Sequence, residues 1–190
     1  MAHRVCPWWL GLFLASPIRK LRHNPLEILR PYVREGMIVL EPGPGMGFFT
    51  LELARIVGEK GKVVAIDVQK RMIESLRRRS QKARMNDRIE LRLAGPAGMG
   101  VSDLVGKVDF VLAFAVAHEM PDIGQFFKES FEALKANGKL LLSEPADHIE
   151  ESEFNESVSL ARSAGFTMTE RPQIKSNLSA VLAKSAPGKQ

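Results

Sequence analysis

Apolar positions recur along this chain in two alternating rhythms, short runs with strand character and longer stretches with helical spacing. Met37 to Glu41 (MIVLE) is a short apolar strand ending in an acid, and Phe48 to Val57 then carries apolar residues three and four apart, as one face of a helix does. Lys62 to Asp67 (KVVAID) is a second, β-branched strand. Met72, Ile73, Leu76 and Met85 mark the buried side of the helix that follows, whose other side carries Arg77, Arg78, Arg79, Lys82 and Arg84. Ile89 to Leu93 makes a third strand, and a Gly- and Pro-rich stretch from Gly95 to Gly106 replaces a full helix before the fourth, Val108 to Phe114. Pro121 opens the next helix, with Phe126, Phe127, Phe131 and Leu134 inward and Asn137-Gly138 closing it. Leu140 to Ser143 forms a fifth strand, and Glu151 to Ala164 a last helix stopped by Gly165. Two strand-like runs follow, Phe166 to Ile174 and Leu178 to Lys184.

Strands alternating with helices imply right-handed crossovers and a parallel sheet with helices on both faces. No helix separates the last two strands, so they are expected to form a hairpin turning at Lys175-Ser176-Asn177. The pattern therefore predicts an α/β three-layer sandwich whose seven-stranded, mostly parallel sheet holds one antiparallel strand in a C-terminal hairpin. Ligands of such sheets bind beyond the carboxyl ends of the strands, where the strand order reverses, which directs attention to the residues after each strand.

A length of 190 residues fits one domain, read as residues 1–190 with 1–30 as a helical leader or lid and 31–190 as the core. The leader pairs Arg4 with the apolar run Val5 to Ala15, too short to span a membrane. Phe13 occupies a position where a signal-peptide cleavage site needs a small residue, so secretion is not expected. From Trp8 to Leu21 the spacing suggests a helix with one apolar face and the basic group Arg19, Lys20 and Arg22. Packing on the domain is favoured for it; peripheral membrane contact, or a lid built from Trp8, Trp9 and Phe13, are the alternatives. The single cysteine, Cys6, excludes an intrachain disulfide and a Cys-rich zinc site, and fits a reducing cytoplasm. A net charge of +5 permits an anionic partner without requiring one.

The turn after the first strand reads Glu41-Pro42-Gly43-Pro44-Gly45-Met46-Gly47. Its glycines clear side chains from the backbone, yet Phe48 stands where a dinucleotide fingerprint needs glycine, and no Gly-Lys-Ser/Thr ending supplies a lysine for a triphosphate. An acid at the head of the loop, with no cation beside it, suits a ligand that carries positive charge. Asp67 closes the second strand, where a carboxylate can accept both hydroxyls of a ribose. Together these residues indicate an adenosine-type ligand.

Here the chain resembles the class I S-adenosylmethionine-dependent methyltransferases, from about Asn24 to Lys184. Glu41-x-Gly43-x-Gly45-x-Gly47 is similar to that family's first motif, Val64 to Asp67 to its ribose-binding motif, and Val108 to Asp122 (VDFVLAFAVAHEMPD) to its fourth-strand motif. Ala133 to Pro145 (ALKANGKLLLSEP) and the terminal hairpin match its fifth-strand region and seventh-strand insertion. The resemblance implies a Rossmann-like fold, S-adenosylmethionine as methyl donor and S-adenosylhomocysteine as product. It implies that Gly43, Pro44, Gly45 and Gly47 line the methionine part of the donor, with Glu41 facing its ammonium and Asp67 its ribose. The family usually places an acid near the adenine amino group after the third strand. Leu93-Ala94-Gly95-Pro96 has none, which leaves Val68, Met72, Ala94, Gly95 and Phe114 for apolar and backbone contact. The branch it looks closest to holds quinone-biosynthesis and arsenite methyltransferases; arsenite is not expected as acceptor, because Cys6 is alone.

The function expected is transfer of a methyl group by in-line displacement to a small-molecule acceptor, recognised through Trp8, Trp9, Phe114 and Met120 or a second subunit. The alternatives are an RNA or protein methyltransferase and a non-catalytic donor-binding module. If the acceptor must lose a proton, His118, Glu119 and His148 are the available groups, following strands four and five. Glu144, ending strand five, either points into the cleft or caps the next segment. No His, Cys or acid spacing suggests a metal site. The Arg77 to Arg79 run reads as a solvated helix face, with no interleaved aromatics to stack bases. Oligomeric state stays open.

Overall fold

Seven strands make one sheet in a computed structural model that describes residues 23–95 and 98–185. Their order is β3-β2-β1-β4-β5-β7-β6: β1 (Ile38–Pro42), β2 (Lys62–Asp67), β3 (Ile89–Leu93), β4 (Val108–Phe114), β5 (Leu134–Pro145), β6 (Phe166–Glu170) and β7 (Asn177–Lys184). The helices that flank it are α1 (Pro25–Leu29), α2 (Thr50–Val57), α3 (Lys70–Lys82), α4 (Ile123–Ala133) and α5 (Glu151–Ser163). The mostly parallel α/β sheet expected from the sequence is what forms. The Trp8–Leu21 helix, with Trp8, Trp9 and Phe13, lies outside the described residues. No described helix is long and apolar enough to cross a membrane. The described chain divides into two compact units, 23–95 and 98–185.

In the first unit β1, β2 and β3 run parallel, with Pro42 opposite Ile66 and Asp67 opposite Leu93. Val39, Leu40, Val63, Val64 and Ala65 are wholly buried, the continuous apolar pattern of strands covered on both faces. On α3 the residues Met72, Ile73, Leu76 and Ser80 are buried, and Arg71, Arg77, Arg78 and Lys82 are exposed. Met85, expected on the same face, lies beyond the helix end.

In the second unit β4 runs parallel to β5, whereas β7 is antiparallel to both β5 and β6 and is the one reversed strand. Two helix boundaries differ from expectation. Asp122 caps α4, its carboxylate accepting from Gln125 N at 2.8 Å, so the helix starts at Ile123 and Pro121 precedes the cap. At the other end α4 stops at Ala133 and the chain passes directly into β5, which is much longer than expected. Asn137, at φ 65°, and Gly138 then form a bulge between the pairs Val108/Leu134 and Phe110/Lys139. The cap comes instead from β7: the Lys184 ammonium donates to Phe131 O at 2.7 Å and Leu134 O at 2.8 Å, satisfying carbonyls at the negative end of the helix.

Candidate functional site

Val39 and Leu40 carry Glu41 into the interior with them, leaving it 3% exposed at the end of β1. Burial pushes its carboxyl up from 4.5 to about 8; the Thr50 hydroxyl opposes that shift and the charge of Asp67 adds to it. Neither Glu41 Oε2 nor the Thr50 hydroxyl completes a hydrogen bond of good geometry. A buried carboxylate oxygen without a donor is costly, and a donor from outside the chain would relieve that cost.

The loop beyond Glu41 is held from three directions. Gly43 N donates to Ile66 O at 2.8 Å, Gly47 N donates to Pro44 O at 2.9 Å, and the Arg79 guanidinium on α3 donates to Met46 O. Gly43, Gly45 and Gly47 all have positive φ, at 65°, 54° and 87°. Two of them serve different ends. A Cβ on Gly45 would meet nothing within 4 Å, so this glycine opens on free space. One on Gly47 would lie 2.3 Å from Leu76 Cδ1, so that glycine lets α3 approach the loop. Gly47→Ala is accordingly expected to cost about 2–4 kcal/mol in folding stability, from overpacking and left-handed strain together, a loss that chemical denaturation would measure. Pro44 is buried beneath the turn.

Asp67 ends β2 almost fully buried, and its Oδ1 accepts from Gln69 N at 2.8 Å. Its own carbonyl accepts from Ala94 N at 3.0 Å, which fixes the start of the segment holding Ala94 and the exposed Gly95. Val68 is 59% exposed and Leu93 56%, two large apolar side chains at the ends of neighbouring strands. Met72 is buried in the core face of α3. The first unit thus assembles Glu41, the glycine loop and Asp67, and sets Val68, Ala94 and Gly95 after the strand ends.

The second unit assembles another cluster. Phe114 is buried at the end of β4, opposite Ser143. Ala115 then turns at φ 55° into a 3-10 turn over Ala117–Glu119. Glu144, 1% exposed at the end of β5, reaches across to that turn. Its Oε1 accepts from Val116 N at 3.2 Å and Ala117 N at 2.8 Å, and its Oε2 bonds His118 Nδ1. His118 Nε2 lies 3.9 Å from Glu119 Oε1, and the exposed His148 ring stands edge-on to His118 with centroids 5.8 Å apart. Hydrogen bonding to Glu144 raises the His118 pKa above 6.5, against the opposing effect of burial, and the charges of Glu144 and Glu119 add to the rise.

Sequence reasoning underrated two of these groups. Glu144 repeats the strand-end acid seen at Glu41 and Asp67, and that repetition was the available signal. Arg79 belongs to the face that carries Met72, Leu76 and Ser80, seven residues beyond Met72, although its charge suggested solvent.

A family model described as a methyltransferase domain matches residues 34–183. The chain is 32% identical over 141 residues to the ribosomal protein L11 methyltransferase of Thermosipho melanesiensis, covering 74% of this chain and 49% of that protein. It is 30% identical over 112 residues to the ubiquinone/menaquinone biosynthesis C-methyltransferase of Haemophilus ducreyi, covering 59% and 42%. It spans under half the length of most curated relatives it matches. Among solved structures, a SAM dependent methyltransferase from Aquifex aeolicus superposes with a TM-score of 0.82 at 24% identity, over 94% of this chain and 98% of that one, a likeness of fold.

Proposed function

The chain belongs to the methyltransferase-domain family, and from that premise we propose that it transfers a methyl group from S-adenosylmethionine to a small-molecule acceptor in a reducing cytoplasm. The observation that carries this reading is Glu41, a wholly buried carboxylate whose Oε2 lacks a donor at the head of a loop where Gly45 opens on free space. The residues present fit the donor. Glu41 faces its ammonium, Gly43 and Gly45 let the methionine part approach the main chain, Asp67 takes the ribose, and Val68 with Leu93 offers apolar cover for the adenine. Phosphate-bearing nucleotides fit badly, because two acidic residues, Glu41 and Asp67, head these turns.

The bound donor supplies a methyl group already activated by its sulfonium. The protein's contribution is to fix positions and exclude water, so no covalent enzyme intermediate is needed. Residues 1–190 are read as one methyltransferase domain, with 1–30 as its leader.

Isothermal titration with S-adenosylmethionine, followed by a screen for S-adenosylhomocysteine across acceptor classes, tests the reading. Saturable binding with turnover on small molecules is expected. Binding without product from any class would make this a donor-binding module, and product with RNA or protein alone would change the acceptor class. Asp67→Asn keeps an acceptor for Gln69 N but loses a charged partner for the ribose. It is expected to weaken donor binding by about 1.5–3 kcal/mol; an unaltered dissociation constant would remove Asp67 from the site.

A further inference from the structure

The geometry points to Glu144 as a positioning residue that holds His118 with Nδ1 inward and Nε2 outward, so that Nε2 removes the proton of an aromatic or enolic hydroxyl on the acceptor. This inference rests on the methyl-transfer reading and names the acceptor class within it.

Glu144 is a deeply buried group whose Oε1 is engaged by two backbone donors, Val116 N and Ala117 N, so it stays in place whatever His118 does. An ionised carboxylate only accepts, hence the imidazole must present Nδ1–H to Oε2. In the neutral ring the lone pair then sits on Nε2. A buried carboxylate behind a partly exposed imidazole orients the ring and stabilises the imidazolium formed when Nε2 takes a proton. Among the described residues no group of three or more His, Cys, Asp or Glu is placed to hold a metal ion.

The acceptor class follows from proton affinity. A phenol ionises near pH 10, within a few units of an imidazolium, so transfer to a histidine is feasible as the oxygen attacks. A neutral amine already carries its nucleophilic lone pair and needs no oriented base, and an alkyl alcohol is far too weak an acid. In the step proposed, the acceptor O–H bond breaks and its proton joins Nε2. The oxygen electron pair forms the bond to the methyl carbon, whose bond to sulfur breaks with that pair left on sulfur. The imidazolium afterwards gives its proton to water.

Among the described residues the titratable groups that face His118 are Glu144 from β5, Glu119 from its own turn, and His148 from the segment after β5. The two acids favour the imidazolium, so turnover is expected to rise with pH through a histidine titration above the ordinary 6.5 and then level off.

Glu144→Gln is the decisive variant. Its amide oxygen still accepts from Val116 N and Ala117 N, which spares the fold, while the amide nitrogen now donates toward His118. Nδ1 must then accept, and the ring proton moves to Nε2. Nitrogen-15 spectra of the full chain with labelled histidine are expected to show hydrogen on Nδ1 in the parent and on Nε2 in the variant. The His118 titration is expected to move to lower pH. Hydrogen on Nε2 in the parent, a reading that requires no variant, or the same tautomer in both chains, overturns the positioning role. With catechol and hydroquinone as probe acceptors, Glu144→Gln is expected to lose about 100-fold in kcat while its dissociation constant for S-adenosylmethionine holds. An unchanged kcat overturns the base, and methylation confined to thiol or amine probes overturns the acceptor class. Absence of S-adenosylmethionine binding by the parent would instead sink the methyl-transfer reading, so the two failures are told apart.

Discussion

Glu41→Gln is expected to bind S-adenosylmethionine about 100- to 1000-fold more weakly than the parent chain while unfolding at higher temperature at pH 8. Both effects come from one carboxylate. In the folded chain its pKa is raised from 4.5 to about 8, chiefly by burial, so the fold prefers the protonated form. The unfolded chain gives up that proton near 4.5 and the folded chain near 8. Stability is therefore full below about pH 4.5 and falls as pH rises through the window up to 8. The neutral amide removes that dependence and is expected to add about 1–3 kcal/mol at pH 8. The donor's ammonium loses its counter-charge in the same change, and that outweighs any amide hydrogen bond. Thermal melts of both chains at pH 5 and pH 8 check the first half, because the stability gap must open at the higher pH. A variant less stable at pH 8 that binds as well as the parent would contradict both halves.

Gly45→Val is expected to abolish donor binding without unfolding the chain. The backbone there is left-handed at φ 54°, which costs a β-branched residue about 1–2 kcal/mol. No atom lies within 4 Å of a Cβ built at this position, so the added side chain starts in open space and projects toward the space assigned to the methionine part. Gly47→Ala is its mirror image, damaging the fold through Leu76 while adding nothing to that space. Circular dichroism melts alongside titration separate the pair: Gly45→Val folded and unable to bind, Gly47→Ala unstable. Retained affinity in Gly45→Val would take the loop out of the site.

Much of the fold could be read from the sequence because its strands are short, apolar and bounded by turn residues. β2, β3 and β4 begin and end where the pattern put them. What could not be read depended on distant partners. The end of α4 is set by Lys184, about fifty residues further on, whose ammonium satisfies the last carbonyls in place of the expected Asn137-Gly138 cap. Local propensity carries no trace of such a contact. Arg79 misled for a related reason, since a charge usually marks solvent and this one has a carbonyl of the glycine loop to bind.

The chemistry-bearing residues divide in the same manner. Glu41 and Asp67 were legible because a carboxylate ending a buried strand has few structural reasons to be there. Glu144 ends β5 in the same way, yet its role needs the turn after β4, since only that turn brings Val116 N, Ala117 N and His118 to it. Spacing along the chain identified the acids, and the sheet decided which of them would meet a histidine.

Calorimetric titration of S-adenosylmethionine into the chain at pH 6.5, in buffers of different ionisation heat, reads the ionisation of Glu41 on donor binding directly. At that pH Glu41 is protonated before binding and ionised against the ammonium afterwards, so about one proton is expected to leave per donor bound, and none in Glu41→Gln. Affinity is likewise expected to rise about tenfold per pH unit toward pH 8. Binding in the parent chain with no proton release would contradict the account.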